Sequence, residues 1–172
     1  MKRFVLVLSV FVGLLLLGGA CGNQEAENAP AVEKPVETVE GTAENLGLKI
    51  ASSYIETLKQ IVAILNDKPA PADAMAMLSD MKSWTVDLMV GLGREREALP
   101  PEERAVVDLL LNEKIAMVPA DLLKAFQDGQ AGYKEDNELF NLIEEFNSIT
   151  RYANFDLLKS QCPEEAKRLG IE

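Results

Sequence analysis

The 172-residue chain contains no histidine. That removes the commonest general base, the usual proton switch near neutral pH and the commonest metal ligand. A Ser-His-Asp triad and a Cys-His pair are both excluded. So are the Glu-x-x-His di-iron centres and Cys-x-x-Cys-His haem attachments that many four-helix bundles carry. Cysteine is almost as scarce: Cys21 and Cys162 are the only two. Basic residues are outnumbered, 17 against 28 acidic, for a net charge of −11. A phosphate backbone demands a basic surface, so nucleic acid is excluded as a partner, and a body lying flat on anionic lipid is disfavoured. No glycine-rich phosphate loop is present; Gly91-Leu-Gly-Arg-Glu95 lacks the spacing and comes after a helical pattern. This inventory predicts a protein that is not an enzyme and holds no cofactor.

What is present begins with an export signal. Lys2 and Arg3 precede an apolar run from Phe4 to Leu17, interrupted only by Ser9 and Gly13. Gly18, Gly19 and Ala20 are small, and Cys21 comes next. A positive start, an apolar stretch and small residues before the cut describe a secretory signal. The stretch is shorter than the roughly 20 apolar residues that a membrane-spanning helix needs.

Through Leu17-Gly18-Gly19-Ala20-Cys21 the chain resembles the bacterial lipoproteins, with the leucine one residue earlier than that class usually places it. The resemblance covers about the first 21 residues. It implies a diacylglycerol on the Cys21 thiol, cleavage just before Cys21 and a membrane partner reached through the lipid. Each buried methylene contributes about 0.8 kcal/mol, and two or three chains hold stably where one does not. Gly22, where enteric members retained at the inner membrane carry Asp, implies the outer membrane facing the periplasm if the organism has two membranes. Ordinary cleavage after Ala20 and a retained anchor are competing readings of the same residues. In the oxidising export compartment, ordinary cleavage would also allow a 21–162 disulfide.

Loss of residues 1–20 leaves 15 basic against 28 acidic residues. From 21 to 41 the chain is acidic, carries two prolines and has no apolar periodicity. Such composition cannot bury enough apolar surface to offset ordering, so the expectation is a disordered tether reaching roughly 25 Å.

From residue 42 to 172 the apolar spacing is helical, in four runs. Leu48, Ala51, Ile55, Leu58, Val62 and Leu65 predict a helix over about 43–66. Ala74, Leu78, Met81, Thr85, Leu88 and Leu92 predict a second over 71–90, stopped by Gly91 and Gly93. Pro100 and Pro101 open a third, with a stripe of Val107, Leu111, Ile115 and Val118. Val106, Leu109, Leu110 and Met117 widen that stripe, which predicts the most buried helix of the four. Pro119 kinks or breaks it, ahead of a short helix over about 120–128. Gly129 and Gly132 mark a turn. A fourth helix over about 136–161 carries Leu139, Leu142, Phe146, Ile149, Ala153 and Leu157, and Pro163 closes it before a frayed tail. The expected fold is therefore all-α: an antiparallel four-helix bundle with a kinked or broken third helix, behind a disordered tether.

Few candidates for chemistry remain. Met75, Met77, Met81 and Met89 could offer thioethers to Cu(I), but at helical spacing among Leu and Trp84 they read as core packing. Glu102-Glu103 and Glu144-Glu145 diverge by about 100° on a helix and read as solvated faces. Arg151 and Glu113 lie in apolar neighbourhoods, as a structural pair or with their heads reaching to water. Cys162, before Pro163, reads as a buried or helix-end thiol. The functional expectation is a membrane-anchored envelope lipoprotein whose helical domain binds an envelope protein or stabilises an assembly without catalysis. The alternative is a carrier of a small apolar ligand, in a pocket between helices near Pro119.

Overall fold

The computed structural model describes residues 42–171. Residues 1–41, with the expected export signal, Cys21 and the expected tether, lie outside the described residues. Among the described residues seven α-helices occur in order: α1 (Thr42–Asn66), α2 (Pro71–Glu97), α3 (Pro101–Ala116), α4 (Ala120–Ala131), α5 (Asn137–Glu145), α6 (Phe155–Gln161) and α7 (Pro163–Arg168). A 3-10 segment, Phe146–Ala153, joins α5 to α6. No strand occurs among the described residues.

Helix α1 is the hub, packing against α2, α3, α4 and the 3-10 segment. Its buried face is wide for that reason: Leu46, Ile50, Tyr54, Leu58, Ile61 and Leu65 all turn inward. Two residues of the predicted stripe fall outside it, since Leu48 is exposed and Ile55 only half-buried. The helix ends where Lys68 adopts a left-handed φ of 49°.

Helix α2 runs seven residues past its expected end. Gly91 and Gly93 do not stop it, because a glycine in mid-helix costs only about 1 kcal/mol and packing can offset that. At Gly93 the reason is visible: a Cβ there would collide with the Phe155 ring and lie 2.9 Å from the Tyr152 carbonyl oxygen. The missing side chain lets α2 and the 3-10 segment approach closely. Gly129 does the same inside α4, where a Cβ would meet Leu65 Cβ at 2.8 Å, so the expected turn there is helix instead.

Helix α3 reverses the expectation most plainly. Only Val107 and Leu111 are buried on it. Val106 and Leu109 face solvent, as does Met117 at its end. The helix lies at the edge of the domain, with α1 as its main neighbour, so one stripe is covered and the rest is not. The helix ends at Ala116, and Pro119 precedes the first turn of α4.

The fourth run is also interrupted. Ser148 departs from helical geometry inside this segment (φ −119°) and Asn154 is extended (φ −127°, ψ 97°), so the downstream residues restart in a new phase. Leu158 is therefore buried where Leu157 was expected, and Leu157 is exposed. Asn154 then caps α6, its side chain accepting from Leu157 N–H at 3.0 Å. The tail is held rather than frayed. Ile171 N–H donates to Ala166 O (2.9 Å) and Gly170 N–H to Lys167 O (3.0 Å), with Gly170 at φ 68°. This is the glycine-dependent stop of a Schellman turn, and Ala166 and Ile171 are both buried beneath it.

Candidate functional site

Trp84 is the sequence's single tryptophan, and it is 57% exposed. It lies in mid-α2 on a half-covered stripe with Met77, Met81 and Leu88, spaced four, three and four residues apart. Met81 and Leu88 are half-buried against the core, while Met77 is exposed. Of the methionines read as core, only Met89 is fully buried.

A groove of about 330 Å³ opens between this stripe and α1, with Trp84 and Leu88 on one wall and Ser53, Glu56 and Gln60 on the other. Its floor is Thr57, buried but satisfied: the hydroxyl donates to Ser53 O at 2.9 Å. Thr85 makes the equivalent bond to Met81 O at 2.8 Å. Both hydroxyls therefore close onto their own helices and leave the interface without orphaned groups. Beyond Ser52 and Leu88, Lys49 Nζ bridges to Glu95 at 3.1 Å and ties the two helices together.

Glu56 is the carboxylate that lines the groove. Asp80 and Asp87 stand one turn before and after Trp84, on the flank away from α1, and Asp87 also lines the cleft beside α7 with Lys82 and Arg168. Glu56 reaches only Lys59 of its own helix, at 3.5 Å, with both side chains well exposed.

The other charged clusters are consumed by the fold. A cleft of about 450 Å³ beside α7 carries Lys82, Asp87, Glu165 and Arg168. Lys82 is paired with Glu145, and Arg168 grips Glu165 through two bonds of 2.8 and 2.7 Å. That fork, chiefly, holds the Glu165 carboxyl below the usual range despite its partial burial. Tyr152 O–H also donates to Glu165 at 3.2 Å. Arg96 is buried and held by both oxygens of Asp108, at 2.9 and 2.7 Å, and by Glu97 at 2.8 Å. Arg104 closes the cluster on Glu97 and on the Leu99 and Glu97 carbonyls. This network staples the α2–α3 turn, and no motif in the sequence points to it.

The remaining sequence candidates scatter. Glu144 accepts from Gln130 at 2.8 Å while Glu145 pairs with Lys82, so the adjacent carboxylates do diverge. Glu113 is exposed. Arg151 is half-buried, 5.7 Å over the Tyr152 ring, with an Nε that has no partner. Cys162 is a half-buried free thiol at the α6–α7 junction. Pro119 is exposed and lines none of the grooves named here; the more apolar cleft of about 390 Å³ is formed by Leu65, Pro69, Pro71 and Tyr133. No group of three or more Asp, Glu or Cys side chains placed to hold a metal occurs among the described residues, and none of their helices is long and apolar enough to cross a membrane.

Comparison with family models, with curated proteins and with solved structures finds no match to this chain.

Proposed function

We propose that the chain is a membrane-anchored envelope lipoprotein, exported through residues 1–20, lipidated at Cys21 and tethered by residues up to 41. Its helical domain is a non-enzymatic module that docks another envelope protein. We read its architecture as an antiparallel bundle of four helical runs, the third broken at Pro119 and the fourth at the 3-10 segment. The location is the outer membrane, facing the periplasm, where two membranes exist.

One observation carries the binding role: Trp84 stands in solvent beside a groove, with Met77 exposed on the same stripe. Tryptophan and methionine are enriched in interfaces, and truncating a tryptophan there often costs roughly 2 kcal/mol or more of binding. The α3 face, with Leu109 at 59% and Met117 at 71% exposed, offers a second apolar surface.

A photo-crosslinking amino acid placed at position 84, and separately at 109, tests the role in cells. A discrete adduct with one protein supports it, and the absence of adducts at both positions counts against it. The anchor is tested separately. Cys21→Ser should abolish incorporation of labelled palmitate and move the protein out of the membrane fraction.

A further inference from the structure

The Trp84 groove also specifies the chemistry of its occupant. We infer that it receives a basic amphipathic helix of the partner protein, laid along α2 with its apolar side on Met77, Met81, Trp84 and Leu88. This rests on the protein-docking reading above and goes further by naming the surface and the partner's charge.

The spacing comes first. Steps of four, three and four residues are those of a helix seam, in which each side chain enters a gap on a facing helix. From Met77 to Leu88 the seam is about 17 Å long at 1.5 Å per residue, enough for about three turns of partner. The groove wall of α1 bounds one side of that seam, so the partner contacts both helices.

The charge comes second. Asp73, Asp80 and Asp87 recur every seven residues beside the seam. In paired helices the positions flanking the seam select the partner through opposite charge. Glu56 adds a carboxylate from α1. Lysine or arginine at the matching flank of a partner would meet Asp80 and Asp87, and a cation near Trp84 would also gain from the indole face. Beyond residue 20 the chain carries 28 acidic against 15 basic residues, an excess that steers such a partner in from solution. The same carboxylates oppose a second copy of this chain and an anionic lipid surface, because like charges across a contact are repelled.

Trp84 being the single tryptophan, its emission reports directly on the groove. The full chain in neutral detergent would be titrated with a synthetic helix carrying leucine along one seam and lysine and arginine at the flanks. A saturable emission shift is expected. Asp80→Asn with Asp87→Asn should weaken it by up to roughly tenfold, as the loss of two exposed ion pairs allows. A glutamate-flanked version of the helix, and a scrambled peptide of equal charge, should give no saturable shift. Circular dichroism of the double variant must match the parent. Equal affinity for parent and double variant overturns the proposal. So does a response to the glutamate-flanked helix, to anionic vesicles or to self-association on concentration. If the synthetic helix fails while a crosslinker at position 84 or 109 still captures one protein, the basic-helix assignment falls and the docking role stands; if the helix fails and neither position gives an adduct, both fall.

Discussion

Helices α1 and α3 pack against each other, yet the fold treats their apolar side chains in opposite ways. Eleven residues of α1 are buried along its 25, whereas α3 buries two of 16. The apolar residues of α3 are nonetheless spread around more of its circumference. The difference lies in neighbours: α1 is surrounded by α2, α3, α4 and the 3-10 segment, while α3 leans chiefly on α1. An apolar side chain contributes stability only when something covers it, and any face left uncovered is available for a partner.

The largest test of this contrast replaces one leucine in each helix. Leu58 on α1 is fully buried, and Leu58→Ala should cost about 2–5 kcal/mol in a urea titration. Leu109→Ala on α3 should stay within about 0.5 kcal/mol. Equal costs would break the comparison.

Next is the buried ion pair at the α2–α3 turn. Asp108→Ala strips Arg96 of two hydrogen bonds and leaves a buried guanidinium with Glu97 alone. The expected loss is about 3 kcal/mol, measured by chemical unfolding. Replacing Arg96 and Asp108 together with methionine and leucine should recover much of it, because no charge is then stranded.

The helix contacts can be sharpened with two glycines. A Cβ on Gly47 would lie 2.9 Å from the Val107 carbonyl oxygen and 3.1 Å from Leu110 Cβ, so Gly47→Ala should push α1 from α3 and cost about 1–3 kcal/mol. Gly91 has open space around its missing Cβ, so Gly91→Ala should stabilise α2 by about 0.5–1 kcal/mol. Thermal melts of the two variants should therefore move in opposite directions.

The smallest effect concerns acid. The Glu165 carboxyl is held low, first by Arg168. Its contribution is thus fully present above the unfolded value of about 4.3 and fades as pH falls through the lowered folded value. Glu165→Gln should lose stability at neutral pH and show a shallower decline below about pH 4.3, read from melting temperature against pH. A decline as steep as the parent's would place the acid sensitivity elsewhere.

The four helical runs were readable from residue order because an apolar side chain every three or four residues requires a helix wherever it is buried. Pro119 announced a break for a similarly local reason: its ring cannot continue a helical turn. Gly91 and Gly93 misled, since the same residue that ends a helix also permits close packing inside one. Met77 reads as core in the sequence yet is exposed beside Trp84. Periodicity locates a stripe but is silent on which edge of it a neighbouring helix leaves open. The Asp80–Trp84–Asp87 arrangement was present in the spacing, yet its meaning needed the indole to be in solvent.

Residue order alone thus specified the helical class and the segment boundaries set by proline, both of which arise from interactions within a few residues. Which apolar stripe became core, which glycine became a contact point and which aromatic was left uncovered were settled by long-range packing. These outcomes depend on how many helices surround each one, a property that belongs to the assembled domain and to no single stretch of chain.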